Sequence, residues 1–263
     1  MTDETPAPRN IPALLSALHT ENRSCTVLVS GTPGGAIHVR DGLVVGMETP
    51  GAPGVEVLLL KSRRVTEEDW AAVRAAGADP ARLARELVAQ GLLGAAELEI
   101  IGQAALFDAA FALALTSPDG WEVTAARPLL ETGTAVQPAR LVTENTRRVH
   151  LLANERGATA RFARDRLAPA PAARDPRQTA RLSPRHRTVL TAADGRRTPR
   201  DIAFTLGRGL FAVMLDLRDL LAQGLLQPPS AAAARPSTAL RTPPHPSTTP
   251  SQPSATPLPR RKR

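Results

Sequence analysis

The chain has 263 residues, of which 42% are hydrophobic, enough to bury a core and to exclude a wholly disordered protein. Aromatic residues make up only 3% and tyrosine is absent, so that core must be aliphatic and rich in alanine. The formal net charge is +8, and the single Cys25 excludes an internal disulfide framework or a cysteine-rich zinc site.

The start, MTDETPAPRN, is polar and acidic, unlike a secretory leader. No apolar run reaches the roughly 18 residues that a membrane helix needs, so a soluble cytoplasmic protein is expected. Ile11 to His19 reads as an amphipathic helix with Leu14, Leu15 and Leu18 on one face. Three short strands follow. In the first, Cys25, Val27 and Val29 share a side; in the second, Ile37 and Val39 do; the third is Leu43 to Glu48. Gly31-Thr-Pro-Gly-Gly35 makes the first connection, and Asp41-Gly42 is a strong signal for a two-residue hairpin.

The pattern then becomes helical. Val55 to Lys61 is a short helix, and Thr66-Glu-Glu-Asp69 opens another with a capping box in which Asp replaces Glu. Pro80 starts a third that Gly91 closes, and Ala95 to Leu115 is a long fourth. Trp121 to Thr124 is a last strand. Arg140 to Asn154 carries an apolar stripe of Val142, Val149 and Leu152, fit for intramolecular docking or for pairing in a homodimer.

Residues 154–180 are rich in Pro, Arg and Ala and read as a linker. After them, Pro184 to Ala193, Pro199 to Leu206 and Leu210 to Gln223 form three helices, with Thr198 as an N-cap and Gly207-Arg208-Gly209 as a turn. Leu225-Leu226-Gln227 would begin a wing strand. This is the order of a winged helix-turn-helix. Residues 228–263 hold ten prolines and six basic side chains with no acidic one, and are expected to be disordered. The fold class expected is α+β, with a small antiparallel meander and helices at 10–153, a linker at 154–180, a winged helix-turn-helix at 181–227, and a basic tail.

Catalytic signatures are missing from the sequence. There is no P-loop and no Gly-x-Ser-x-Gly elbow, and the five histidines lack metal-ligand spacing. Cys25 has the inward parity of a core residue, and Glu67, Glu68 and Asp69 suit a helix N-terminus. No enzyme, cofactor or metal is expected. Leu87-Val-Ala-Gln-Gly-Leu-Leu93 recurs as Leu220-Leu-Ala-Gln-Gly-Leu-Leu226, which is convergence on one way of ending a helix, a glycine stop with an apolar clasp.

Two stretches carry a family likeness. The first helix, the hairpin Gly34-Gly35-Ala-Ile-His-Val-Arg-Asp41-Gly42-Leu-Val and the helices after it resemble the PATAN-type domain of bacterial signalling proteins. Leu182-Ser-Pro-Arg-His-Arg, Asp194-Gly-Arg-Arg-Thr-Pro-Arg-Asp-Ile-Ala and Asp219-Leu-Leu-Ala-Gln-Gly-Leu look like the MarR-like winged helix often attached to it. The resemblance covers most of residues 10–227 and implies a regulatory adaptor or transcriptional regulator.

Charge points the same way. Residues 1–153 carry a net −5, whereas every later segment is positive. Arg185, Arg187, Arg196, Arg197, Arg200, Arg208 and Arg218 crowd the expected winged helix, where guanidinium groups could release counterions from a DNA duplex. The third helix offers almost nothing to read base edges, and Asp216 and Asp219 would repel phosphate. Double-stranded DNA is thus the expected partner of the C-terminal part, and a signalling protein that of residues 10–153. The alternative is a scaffold in which both parts bind proteins.

Overall fold

The computed structural model describes residues 10–76, 79–125, 127–128, 130–153 and 156–228. Asn10 opens helix α1 (Ile11–Thr20) by accepting the Ala13 N–H at 3.2 Å, and the helix buries Leu15 and Leu18. Strands β1 (Cys25–Ser30), β2 (Gly35–Arg40) and β3 (Leu43–Glu48) form the expected antiparallel meander. Asp41 and Gly42, at φ +48° and +71°, are the two left-handed residues that the tight β2–β3 turn requires. Strand β4 (Gly120–Thr124) adds to the far side of β1, giving the order β3-β2-β1-β4.

One face of the sheet carries Val27, Val29, Ile37 and Met47. It packs on α1, α5 (Ala95–Ala114) and α6 (Pro138–Ala153) through Leu106, Phe107 and Leu141. On the other face Thr26 Oγ1 and His38 Nδ1 meet at 2.8 Å, both buried. Burial holds the His38 imidazole below the ordinary histidine range, against the pull of the nearby Glu48. Helices α2 (Val55–Lys61), α3 (Glu67–Ala76) and α4 (Pro80–Ala89) bury Leu59, Trp70, Val73, Leu83 and Leu87 among themselves. Thr66 accepts the Asp69 N–H at 3.1 Å, as the capping pattern predicts.

Residues expected to be a linker carry regular structure instead. They hold α7 (Arg156–Phe162), strand β5 (Ala168–Pro169), a 3-10 turn (Pro171–Arg174) and α8 (Pro176–Ala180). Pro171 and Pro176 sit at helix starts, where the missing N–H costs nothing, so they initiate structure rather than break it. Helices α9 (Pro184–Ala192), α10 (Pro199–Leu206) and α11 (Leu210–Ala222) fall where the sequence places them. Strand β6 (Leu226–Gln227) pairs with β5, so the strand after the third helix is joined to residues before the first, and no second wing strand lies among the described residues. The tail expected to be disordered lies outside the described residues, apart from Pro228.

The described residues form one compact unit. Phe111, Ala112 and Leu115 share a single buried cluster with Val189, Ile202, Leu210, Met214 and Leu217 of the last three helices. Of the apolar stripe on α6, Val149 and Leu152 point into this cluster, while Val142 stays 41% exposed. Val149 and Leu152 therefore dock within the chain, and Val142 does not.

Candidate nucleic-acid interface

The seven arginines singled out by the sequence do not share one free face. Asp216, only 4% exposed on α11, gathers three basic side chains. Arg208 Nη2 lies 2.7 Å away, His186 Nε2 3.3 Å and Arg185 Nε 3.4 Å. The acid expected to repel phosphate thus pairs with two of the arginines expected to bind it, offsetting one of their two charges, and ties α9 and the α10–α11 turn to α11. Arg197 donates to the Ala192 carbonyl at 3.3 Å and lies 3.7 Å from Asp194. Asp194 is itself held below the usual carboxylate range, chiefly by the Arg196 N–H.

Arg200 and Arg218 reach into the first half of the chain. Arg200 Nε donates to the Pro50 carbonyl at 2.6 Å, and its guanidinium lies over Phe204. Arg218 pairs with Asp219 at 2.7 Å and donates to the Leu151 carbonyl. Arg187 and Arg196 alone of the seven are exposed with no side-chain partner among the described residues.

In a DNA-reading helix-turn-helix, the turn and the first residues of the second helix face the bases. Here they face α2 and α5. Gly209, the N-cap of α11, has no side chain to satisfy the helix's free N–H groups. Asp108 of α5 does this from outside, accepting the backbone N–H groups of Leu210 and Phe211. Its side chain is 8% exposed and pairs with Arg148 at 2.6 Å. Burial holds the Asp108 carboxyl above the ordinary aspartate range, while Arg148 and the two N–H groups pull it down.

Arg148 is in turn fixed by Glu144 at 2.9 Å and lies over the rings of Phe211 and Phe107, at 4.7 and 5.7 Å. The fit is close at both glycines of the turn. A Cβ at Gly209 would lie 2.2 Å from Asp108 Oδ2, and one at Gly207 would lie 2.2 Å from Lys61 Cβ.

Asp108, Arg148 and Lys61 do not stand out in the sequence reading, although one signal was available. Asp108 is the lone charge in the run Ala104 to Leu115, and a charge within an apolar helix face calls for a partner. Among the described residues, no three His, Cys, Asp or Glu side chains are grouped to hold a metal, and no helix is long and apolar enough to cross a membrane. Compared with protein-family models, curated proteins and solved structures, the chain matches none of them.

Proposed function

We propose that the protein is a non-enzymatic signalling adaptor in which the three C-terminal helices contact proteins and complete the core, rather than reading DNA. The observation that carries this reading is the seating of the α11 N-terminus on Asp108. The turn that would meet a major groove is packed against α2 and α5, and its leading residues Leu210 and Phe211 are buried and apolar. The likeness to a PATAN-type domain joined to a MarR-like winged helix fits an adaptor as well as a regulator. In this reading, the acidic first half receives the signal or partner protein.

The competing reading, a DNA-binding regulator, draws support from the exposed and unpartnered Arg187 and Arg196. Titrating duplex DNA at several salt concentrations separates the two. The double variant Arg187→Glu/Arg196→Glu is expected to keep the affinity and salt slope of the parent. Deletion of residues 229–263, with its cluster of basic side chains, is expected to lower both for unrelated duplexes alike. A selective loss of duplex binding in the double variant would overturn the adaptor reading in favour of the regulator.

A further inference from the structure

We propose that the cleft between the Gly31–Pro33 loop and the C-terminal helices binds a small single-chain alkyl carboxylate. The cleft encloses about 430 Å³ and is walled by that loop, Pro50-Gly51, the end of α5, α7 and the start of α11. This is within the size range of small-molecule sites. Its floor is buried and aliphatic, made by Gly51, Ala112, Leu115, Ala160 and Leu210, and no aromatic ring lines it. A hydrocarbon chain, rather than a stacked ring, fits such a floor.

The rim is cationic. Arg164 and Arg200 both line the opening and are exposed. Arg164 has no side-chain partner among the described residues. Arg200 gives one N–H to the Pro50 carbonyl, with its terminal nitrogens left over. Neither guanidinium lies within ion-pair distance of a carboxylate among the described residues, unlike those of Arg148, Arg208 and Arg218. Arg164, unpaired, and Arg200, whose charge is only partly offset by the nearby Asp201, stand above an apolar floor and favour an anion with an apolar body.

The shape of the anion follows from what is missing. A phosphate calls for a cradle of free backbone N–H groups. Thr198 with Asp201 already caps α10 at this cleft, and Asp108 already caps α11. Guanidinium forks match carboxylate and phosphate alike, but with both helix starts already capped, two forks alone are enough for the two oxygens of a carboxylate. The proposal goes beyond the adaptor reading and holds or fails whether or not the C-terminal helices touch DNA.

Calorimetric titration of the full chain with octanoate, octylamine, octanol and acetate tests it. Octanoate is expected to bind saturably at one site; octylamine, octanol and acetate are expected to bind at least tenfold more weakly, for lack of the charge or of the chain. Arg164→Glu is expected to weaken octanoate by about tenfold or more, the loss of one charge-assisted contact, and Arg164→Lys by less. Among the described residues Arg164 has no side-chain hydrogen bond or ion pair to lose, so an unchanged melting curve without ligand will show that the variant folds. The proposal is overturned if octanoate gives no saturable heat, if octanol or octylamine binds as well, or if Arg164→Glu binds octanoate like the parent.

Discussion

The seating of the α10–α11 turn can be weighed by comparing two glycines. Gly207 and Gly224 each end a helix in the left-handed region, at φ +59° and +69°. An alanine in that conformation costs about 1–2 kcal/mol wherever it sits. At Gly224 nothing lies within 4 Å of the added methyl, so that cost is the whole effect. At Gly207 the methyl would meet Lys61 Cβ at 2.2 Å and the Lys61 Cα and carbonyl carbon at 3.2 Å. Backbone atoms cannot swing aside as a side-chain tip can, so forced overpacking adds about 1–3 kcal/mol. Gly207→Ala should therefore destabilise by about 2–5 kcal/mol and Gly224→Ala by about 1–2. Urea unfolding followed by far-UV circular dichroism reads both. Fluorescence of Trp70 and Trp121, which lie in the first half, should report the same transition. Equal costs at the two glycines would refute the docked turn, because a C-terminal unit free in solution has no Lys61 to strike.

Two further outcomes follow from the ion pairs. Asp216→Asn, which strands Arg208 and His186 around a neutral amide, should cost about 3–5 kcal/mol, whereas Arg185→Ala, at the exposed edge of the cluster, should cost about 1 kcal/mol or less; urea midpoints compare them, and similar costs would deny Asp216 its central place. Glu144 is held down at about 2, from 4.5, first by its hydrogen bond from Arg147 and also by Arg148, against the opposing effect of burial. A depressed carboxyl stabilises the fold above its unfolded value and loses that contribution as the pH falls. The stability gap between the parent and Glu144→Gln should thus be full above pH 4.5 and close as the pH falls towards 2, and a gap independent of pH would sink the assignment.

Local chemistry wrote the β-meander, and there the sequence was easy to read. Alternation in β1 and β2, Asp41-Gly42 in the turn, Thr66 and Thr198 as caps, and Gly91 and Gly224 as stops each act within a few residues. The segment after Ala153 misleads because its order is not local. Its prolines and arginines read as linker, yet Leu167 and Ala170 are buried, and β5 exists only because β6 arrives more than fifty residues later. Charge misleads for the same reason. Arg185 and Arg208 look like phosphate ligands until the fold brings Asp216 between them, and no spacing rule ties these positions together. Asp108 was more accessible to reasoning, since a lone carboxylate among alanines and phenylalanines must be paired, though only the fold names Arg148 and the α11 N–H groups as its partners.

The shared cluster around Phe111 also sets a schedule for biosynthesis. Phe111, Ala112, Leu115, Val149 and Leu152 leave the ribosome well before the helices that cover them. The stretch from Leu152 to Leu225 takes roughly 4–15 s to make at ordinary elongation rates. Throughout that interval the nascent first half presents an uncovered apolar face, a surface that holdase chaperones bind and that invites association between neighbouring chains on one message. A stop codon anywhere before α11 makes that transient exposure permanent.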